Sequence, residues 1–92
     1  MPKIEKEFIV KNKQGLHARP AALLVQIAEK YDSEIAVAKD QEQVNGKSIM
    51  GLLMLGAHHL SKVSVTTDGP DAQAAMDDIE AFFNSDIEPT SS

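Results

Sequence analysis

Apolar residues recur along the chain at two spacings, and the spacing changes from element to element. Phe8 and Val10 alternate with charged neighbours, which predicts a first strand from about Lys6 to Lys11. Ala21, Leu24, Val25 and Ala28 instead fall on one face of a helix spanning about Ala18 to Lys30. Pro20 fits in its first turn, where no backbone donor is required. Ile35 and Val37 within Glu34–Lys39, then Val63 and Val65, return to the alternation of half-buried strands. A short strand around Gln41 to Val44 is expected to pair with Glu34–Lys39 across a turn near Asp40. Ser48 to Leu55 follows the turn-prone Asn45-Gly46 and precedes Gly56, so it reads as a short helix with a serine cap and a glycine stop. Pro70 is expected to open a final helix, with Asp71 in the first turn, where negative charge is favoured. Ala72, Ala75, Met76, Ile79, Phe82 and Phe83 form that helix's apolar stripe. The tail Ile87–Ser92 has little to bury and is expected to fray.

The element order is therefore β-α-β-β-α-β-α, without an internal repeat or a dividing linker. Alternating strands imply an antiparallel sheet with one buried face, and single-striped helices would cover that face. This predicts a two-layer α+β domain over residues 1–92, with its core in about 6–84.

Composition narrows the function classes. Ninety-two residues support one modest core. With no cysteine, neither disulfides nor thiolate metal sites are available, in keeping with a cytoplasmic location. No apolar run is long enough for membrane insertion, and Met1–Lys6 lacks the apolar core of a signal peptide. A net charge of −5 argues against nucleic-acid binding. Seven acids and no bases follow from Asp68 onward, whereas Lys11, Lys13 and Arg19 surround His17.

The strongest chemical signal is Gly15-Leu16-His17-Ala18-Arg19-Pro20. It sets a histidine against a helix start, two residues before the chain's only arginine. Helix starts carry unpaired N–H groups and a positive dipole end, which favour anions. An imidazole there, beside a fixed cation, is placed to carry a phosphoryl group. By position alone such a histidine is more often a surface residue or a cap. The adjacent His58-His59 pair points in different directions, and no carboxylate follows it at helical spacing. It reads as loop surface, and no metal or cofactor site is expected.

Gly15-Leu16-His17-Ala18-Arg19-Pro20-Ala21 resembles the active-centre motif of the HPr family, the histidine-containing phosphocarriers of the bacterial phosphoenolpyruvate-dependent phosphotransferase system. Asn45-Gly46-Lys47-Ser48-Ile49-Met50-Gly51 resembles that family's second signature, around its regulatory serine. The match runs from about Lys6 to Phe83, with both motifs at the family's separation. The resemblance implies an open-faced β-sandwich, four antiparallel strands with three helices on one side.

It also implies a stoichiometric carrier, not an enzyme with its own turnover. His17 would take the phosphoryl group on Nδ1 from phosphorylated enzyme I and pass it to acceptor A domains of enzyme II, or to nitrogen-branch equivalents. Arg19 would contribute bidentate hydrogen bonds. Ser48 would be the substrate of an HPr kinase/phosphorylase where one exists; from the sequence alone it is first a helix N-cap. Ile49, Met50 and Leu53, with Ala22 from the first helix, would form the docking surface, although the sequence equally allows them to complete the core. The carrier is expected to act as a monomer.

Two departures qualify the resemblance. Leu60 stands where the family commonly has glycine, so the loop from Ala57 to Ser61 is expected to take a different path. Leu52–Leu55 and Phe82–Ser85 look more like the nitrogen-branch paralogue NPr, whereas Lys47–Gly51 looks like sugar-branch HPr. A mainly regulatory module, with phosphorylation controlling partner binding, is the alternative reading.

Overall fold

The computed structural model describes residues 3–85. Its elements are β1 (Lys3–Ile9), α1 (Ala18–Ala28), β2 (Glu34–Lys39), β3 (Glu42–Asn45), α2 (Ile49–Leu55), β4 (Lys62–Asp68) and α3 (Ala72–Asn84). The four strands form one antiparallel sheet in the order β1-β4-β2-β3. Three helices cover one face: α3 lies over β1 and β4, α2 over β3 and β2, and α1 packs against both helices. This is the two-layer α+β domain that the alternation predicts, and the open-faced sandwich that the resemblance implies.

Register explains which face is buried. Phe8 pairs with Val63, Ile35 with Thr67 and Val37 with Val65, so one side of the pleat collects the apolar residues. Every member of the α3 stripe is buried beneath the helices, as are Ala21, Leu24, Val25 and Ala28 of α1. Phe8 stacks on Phe83 with centroids 4.8 Å apart, and Phe82 meets Phe83 edge-on at 5.1 Å. Thr67 is a polar residue in this core, and its hydroxyl donates to the Ala72 carbonyl at 3.0 Å.

Boundaries differ from expectation where long-range pairing or a turn decides them. β1 begins at Lys3 because β4 extends to Asp68 opposite it, and it ends at Ile9. Val10 stays attached to Ser61 and Leu60 by two backbone bonds of 2.9 and 2.8 Å after the regular ladder stops. α1 stops at Ala28 and not Lys30, because Lys30 and Tyr31 donate three residues back, to Ile27 and Ala28. Gln41 is a turn residue: Lys39 pairs with Glu42, leaving Asp40, at φ +56°, and Gln41 as the two-residue connection.

Pro70 lies ahead of α3, in the turn before it, and α3 starts at Ala72. The Asp71 carboxylate does not cap its own helix. It reaches across to the segment before β2, accepting from the Ser33 hydroxyl (2.6 Å) and the amides of Ser33 and Asp32 (both 2.9 Å). The expected frayed tail Ile87–Ser92 lies outside the described residues.

Candidate functional site

The chain leaves β1 through a tight reversal. The Asn12 side chain accepts from the Gln14 amide at 3.1 Å and its carbonyl accepts from Gly15 at 2.9 Å. Gly15 has φ +73°, and a Cβ there would stand 2.6 Å from the Ala57 carbonyl oxygen and 2.7 Å from the His58 Cα. Leu16 then donates its amide to the Ala57 carbonyl at 2.9 Å and buries its side chain. The loop after α2 is thus the support on which the α1 start rests.

Buried Leu16 and buried Pro20 bracket His17, Ala18 and Arg19, all three exposed. His17 is the N-cap of α1, with φ −86° and ψ −170°, and its carbonyl accepts from Ala21 at 2.8 Å. Its imidazole makes no capping hydrogen bond. The backbone of His17 therefore starts the helix while its ring stays at the surface. First-turn amides have no intrahelical acceptor, and the dipole adds partial positive charge at this end. Arg19 sits in the same turn. Together these groups can hold a phosphoryl group through positioning and electrostatics.

The second signature builds a second corner. Gly46 donates to the Ile35 carbonyl at 2.7 Å, Lys47 to the Asn45 side chain at 2.8 Å, and Ser48 to the Asn45 carbonyl at 3.1 Å. The Lys47 ammonium reaches the Tyr31 carbonyl at 2.7 Å, placing a cation at the carboxyl end of α1. Ser48 caps α2: its Oγ accepts from the Gly51 amide at 2.9 Å. Gly56, at φ +70°, ends that helix as expected.

Within α2, Leu52 and Leu55 face the core, while Ile49, Met50, Leu53 and Met54 face outward. Three residues that the sequence left between core and surface are therefore surface. Met50 is 67% exposed and Met54 75%. Ala22 is half-buried on α1, which packs against α2. Sequence reasoning passed over Met54, though its place four residues after Met50 put it on the same helical face.

Leu60 marks the loop where a departure from the family is expected. This residue holds φ +71°, the left-handed conformation that glycine takes without cost, and it is 65% exposed. The loop backbone at Leu60 is thus of the kind glycine favours, although the residue is bulky. His58 and His59 are exposed; Nδ1 of His58 lies 3.1 Å from the Ser61 hydroxyl. No helix of the described residues is long and apolar enough to cross a membrane.

Comparison with known proteins converges on one family. The family model for the PTS HPr component phosphorylation site matches residues 4–85, nearly the whole chain. The chain belongs to the HPr family. It is 49% identical over 80 residues to the HPr-like protein Crh of Halalkalibacterium halodurans, covering 87% of this chain and 95% of that one. It is 42% identical over 85 residues to the phosphocarrier protein HPr of Treponema pallidum, covering 92% and 97%. The crystal structure of a phosphocarrier protein HPr from Bacillus anthracis superposes with a TM-score of 0.86 at 39% identity, covering 91% of this chain and all of that one. The HPr fold and the order of its elements therefore match those built above from the sequence pattern.

Proposed function

We propose that this member of the HPr family carries a phosphoryl group on His17 between proteins of the phosphotransferase system. Phosphorylated enzyme I is the donor and acceptor A domains of enzyme II, or their nitrogen-branch equivalents, are the receivers. The observation that carries this reading is the exposed His17 imidazole at the start of α1, uncommitted to capping and in the same turn as Arg19. An unprotonated imidazole nitrogen attacks the donor phosphorus, the P–N bond to the donor breaks, and a P–N bond to His17 forms. Arg19 and the helix start offset the charge on the transferring oxygens. The protein is a stoichiometric carrier and needs no metal or cofactor of its own. It acts as a cytoplasmic monomer, and brief encounters suit a small docking face.

Ile49, Met50 and Leu53, with half-buried Ala22 from α1, supply that docking face; the exposure of the three α2 residues supports the assignment. Ser48 is the regulatory position, phosphorylated by an HPr kinase/phosphorylase. It stands at the head of the docking helix, so a phosphate there would put about two negative charges beside an apolar docking surface. This feature favours a regulatory output alongside transfer.

Incubation with enzyme I and phosphoenolpyruvate tests the reading. An acid-labile, base-stable phosphate that disappears in His17→Ala is the expected result. Phosphate that survives in His17→Ala, or no phosphate at all, sinks the proposal.

A further inference from the structure

Two of the chain's thioethers stand on one helix face. Met50 and Met54 are 67% and 75% exposed and sit one turn apart on α2. Met76, on α3, is fully buried in the core. The segment Ile49–Leu55 contains no charged residue, so its outward surface consists of Ile49, Leu53 and the two methionine side chains around Gly51. Beyond its Gly56 stop, Ala57 and His58 support Gly15 and Leu16, immediately before His17. The helix that bears the two thioethers thus runs into the loop that seats the start of α1, against which it also packs.

We propose that Met50 and Met54 are a paired site of reversible oxidation to methionine sulfoxide by peroxides, and that oxidation of this face lowers phosphoryl uptake at His17. The second half rests on the carrier reading. In the step itself a sulfur lone pair attacks one peroxide oxygen. The S–O bond forms as the O–O bond breaks; sulfur loses two electrons and hydrogen peroxide leaves as water. Two thiols, through a methionine sulfoxide reductase, return the sulfur to thioether and are oxidised to a disulfide with release of water.

Exposure and position give the site its selectivity. Both sulfurs lie outside the core, so a sulfoxide there leaves the packing of the domain intact, whereas close packing keeps oxidant from Met76. A sulfoxide turns an adaptable apolar side chain into a polar, strongly accepting one. With both thioethers oxidised, only Ile49 and Leu53 remain as apolar side chains on this outward face, so a partner packs against it more weakly.

The test oxidises the full-length protein with limiting hydrogen peroxide and maps sulfoxide by peptide mass spectrometry. Residues 50 and 54 should convert well before residue 76, with the circular dichroism spectrum unchanged. Uptake from enzyme I and phosphoenolpyruvate should then fall about tenfold in kcat/KM and recover after methionine sulfoxide reductase treatment. The double variant Met50→Leu/Met54→Leu should show no peroxide-dependent change, whatever its own starting rate. Conversion of Met76 as fast as the other two overturns the site. Undiminished uptake by folded protein oxidised at both positions overturns the coupling. Unoxidised protein that takes no phosphate on His17 overturns the carrier reading and the coupling with it, while the sulfoxide map still decides reactivity.

Discussion

Gly15 lies so close to Ala57 that a Cβ would stand 2.6 Å from the Ala57 carbonyl oxygen. The same glycine holds φ +73°, which an L side chain adopts only at a cost. Gly15→Ala should therefore lose about 1–3 kcal/mol of stability. It should also slow uptake at His17, because the Leu16–Ala57 bond that seats the α1 start is displaced. Urea unfolding and transfer rates measure the two effects, and an unchanged midpoint would show that the loop yields freely.

Leu60 presents the opposite case, a bulky residue in a left-handed conformation with most of its surface in solvent. Leu60→Gly removes the backbone strain and sacrifices little burial. The variant should gain up to about 1 kcal/mol, read as a raised midpoint in thermal or urea unfolding. A loss of stability would mean that the exposed side chain makes contacts worth more than the strain.

Ser48 joins a structural role to a proposed regulatory one. Ser48→Ala removes the bond to the Gly51 amide and should cost about 1 kcal/mol. Ser48→Asp can still cap α2, but it sets a negative charge beside the apolar face. It should fold normally and accept phosphoryl from enzyme I more slowly. Equal transfer by this variant counts against a switch at Ser48.

Asp71 ties the start of α3 to the start of β2. The Ser33 hydroxyl, and after it the Asp32 amide, hold the Asp71 carboxyl below the usual aspartate range. A carboxylate whose pKa is lowered by folding contributes stability above its unfolded pKa. That contribution is lost as pH falls through the lower folded value. Asp71→Ala should accordingly be less stable at neutral pH, and the gap to the parent should close in acid. Unfolding curves at descending pH check this; a gap that stays constant rules out ionisation as its source.

Arg19 is expected to act on the phosphoryl group. Its side chain is exposed in the first turn of α1. Arg19→Ala should still fold while uptake slows about tenfold to a hundredfold, the range for losing a hydrogen bond to a charged group. Unchanged uptake refutes the electrostatic role.

Local signals in the sequence were sufficient for several elements. The α3 stripe was legible residue by residue because a 3.6-residue period needs no knowledge of the partner surface. Ser48 and Gly56 marked the ends of α2 because capping bonds and left-handed stops span only three or four residues. Two motifs in register also carried the family resemblance, and with it the open-faced sandwich, while the strand order β1-β4-β2-β3 came from the folded chain.

Tertiary structure decided what depends on distant neighbours. The start of β1 was set by its register against Asp68, and Asp71 served Ser33 and Asp32, not its own helix. Whether Ile49, Met50 and Leu53 belonged to core or surface could not be read from α2, because every residue from Ile49 to Leu55 except Gly51 is a large apolar one. Packing settled it by burying Leu52 and Leu55 and leaving Met54 outside. The sequence by itself determined the carrier motif and the helix that bears it. Only the folded chain brought the loop after α2 beneath Gly15 and Leu16, since contacts across some forty residues depend on how sheet and helices close around one core.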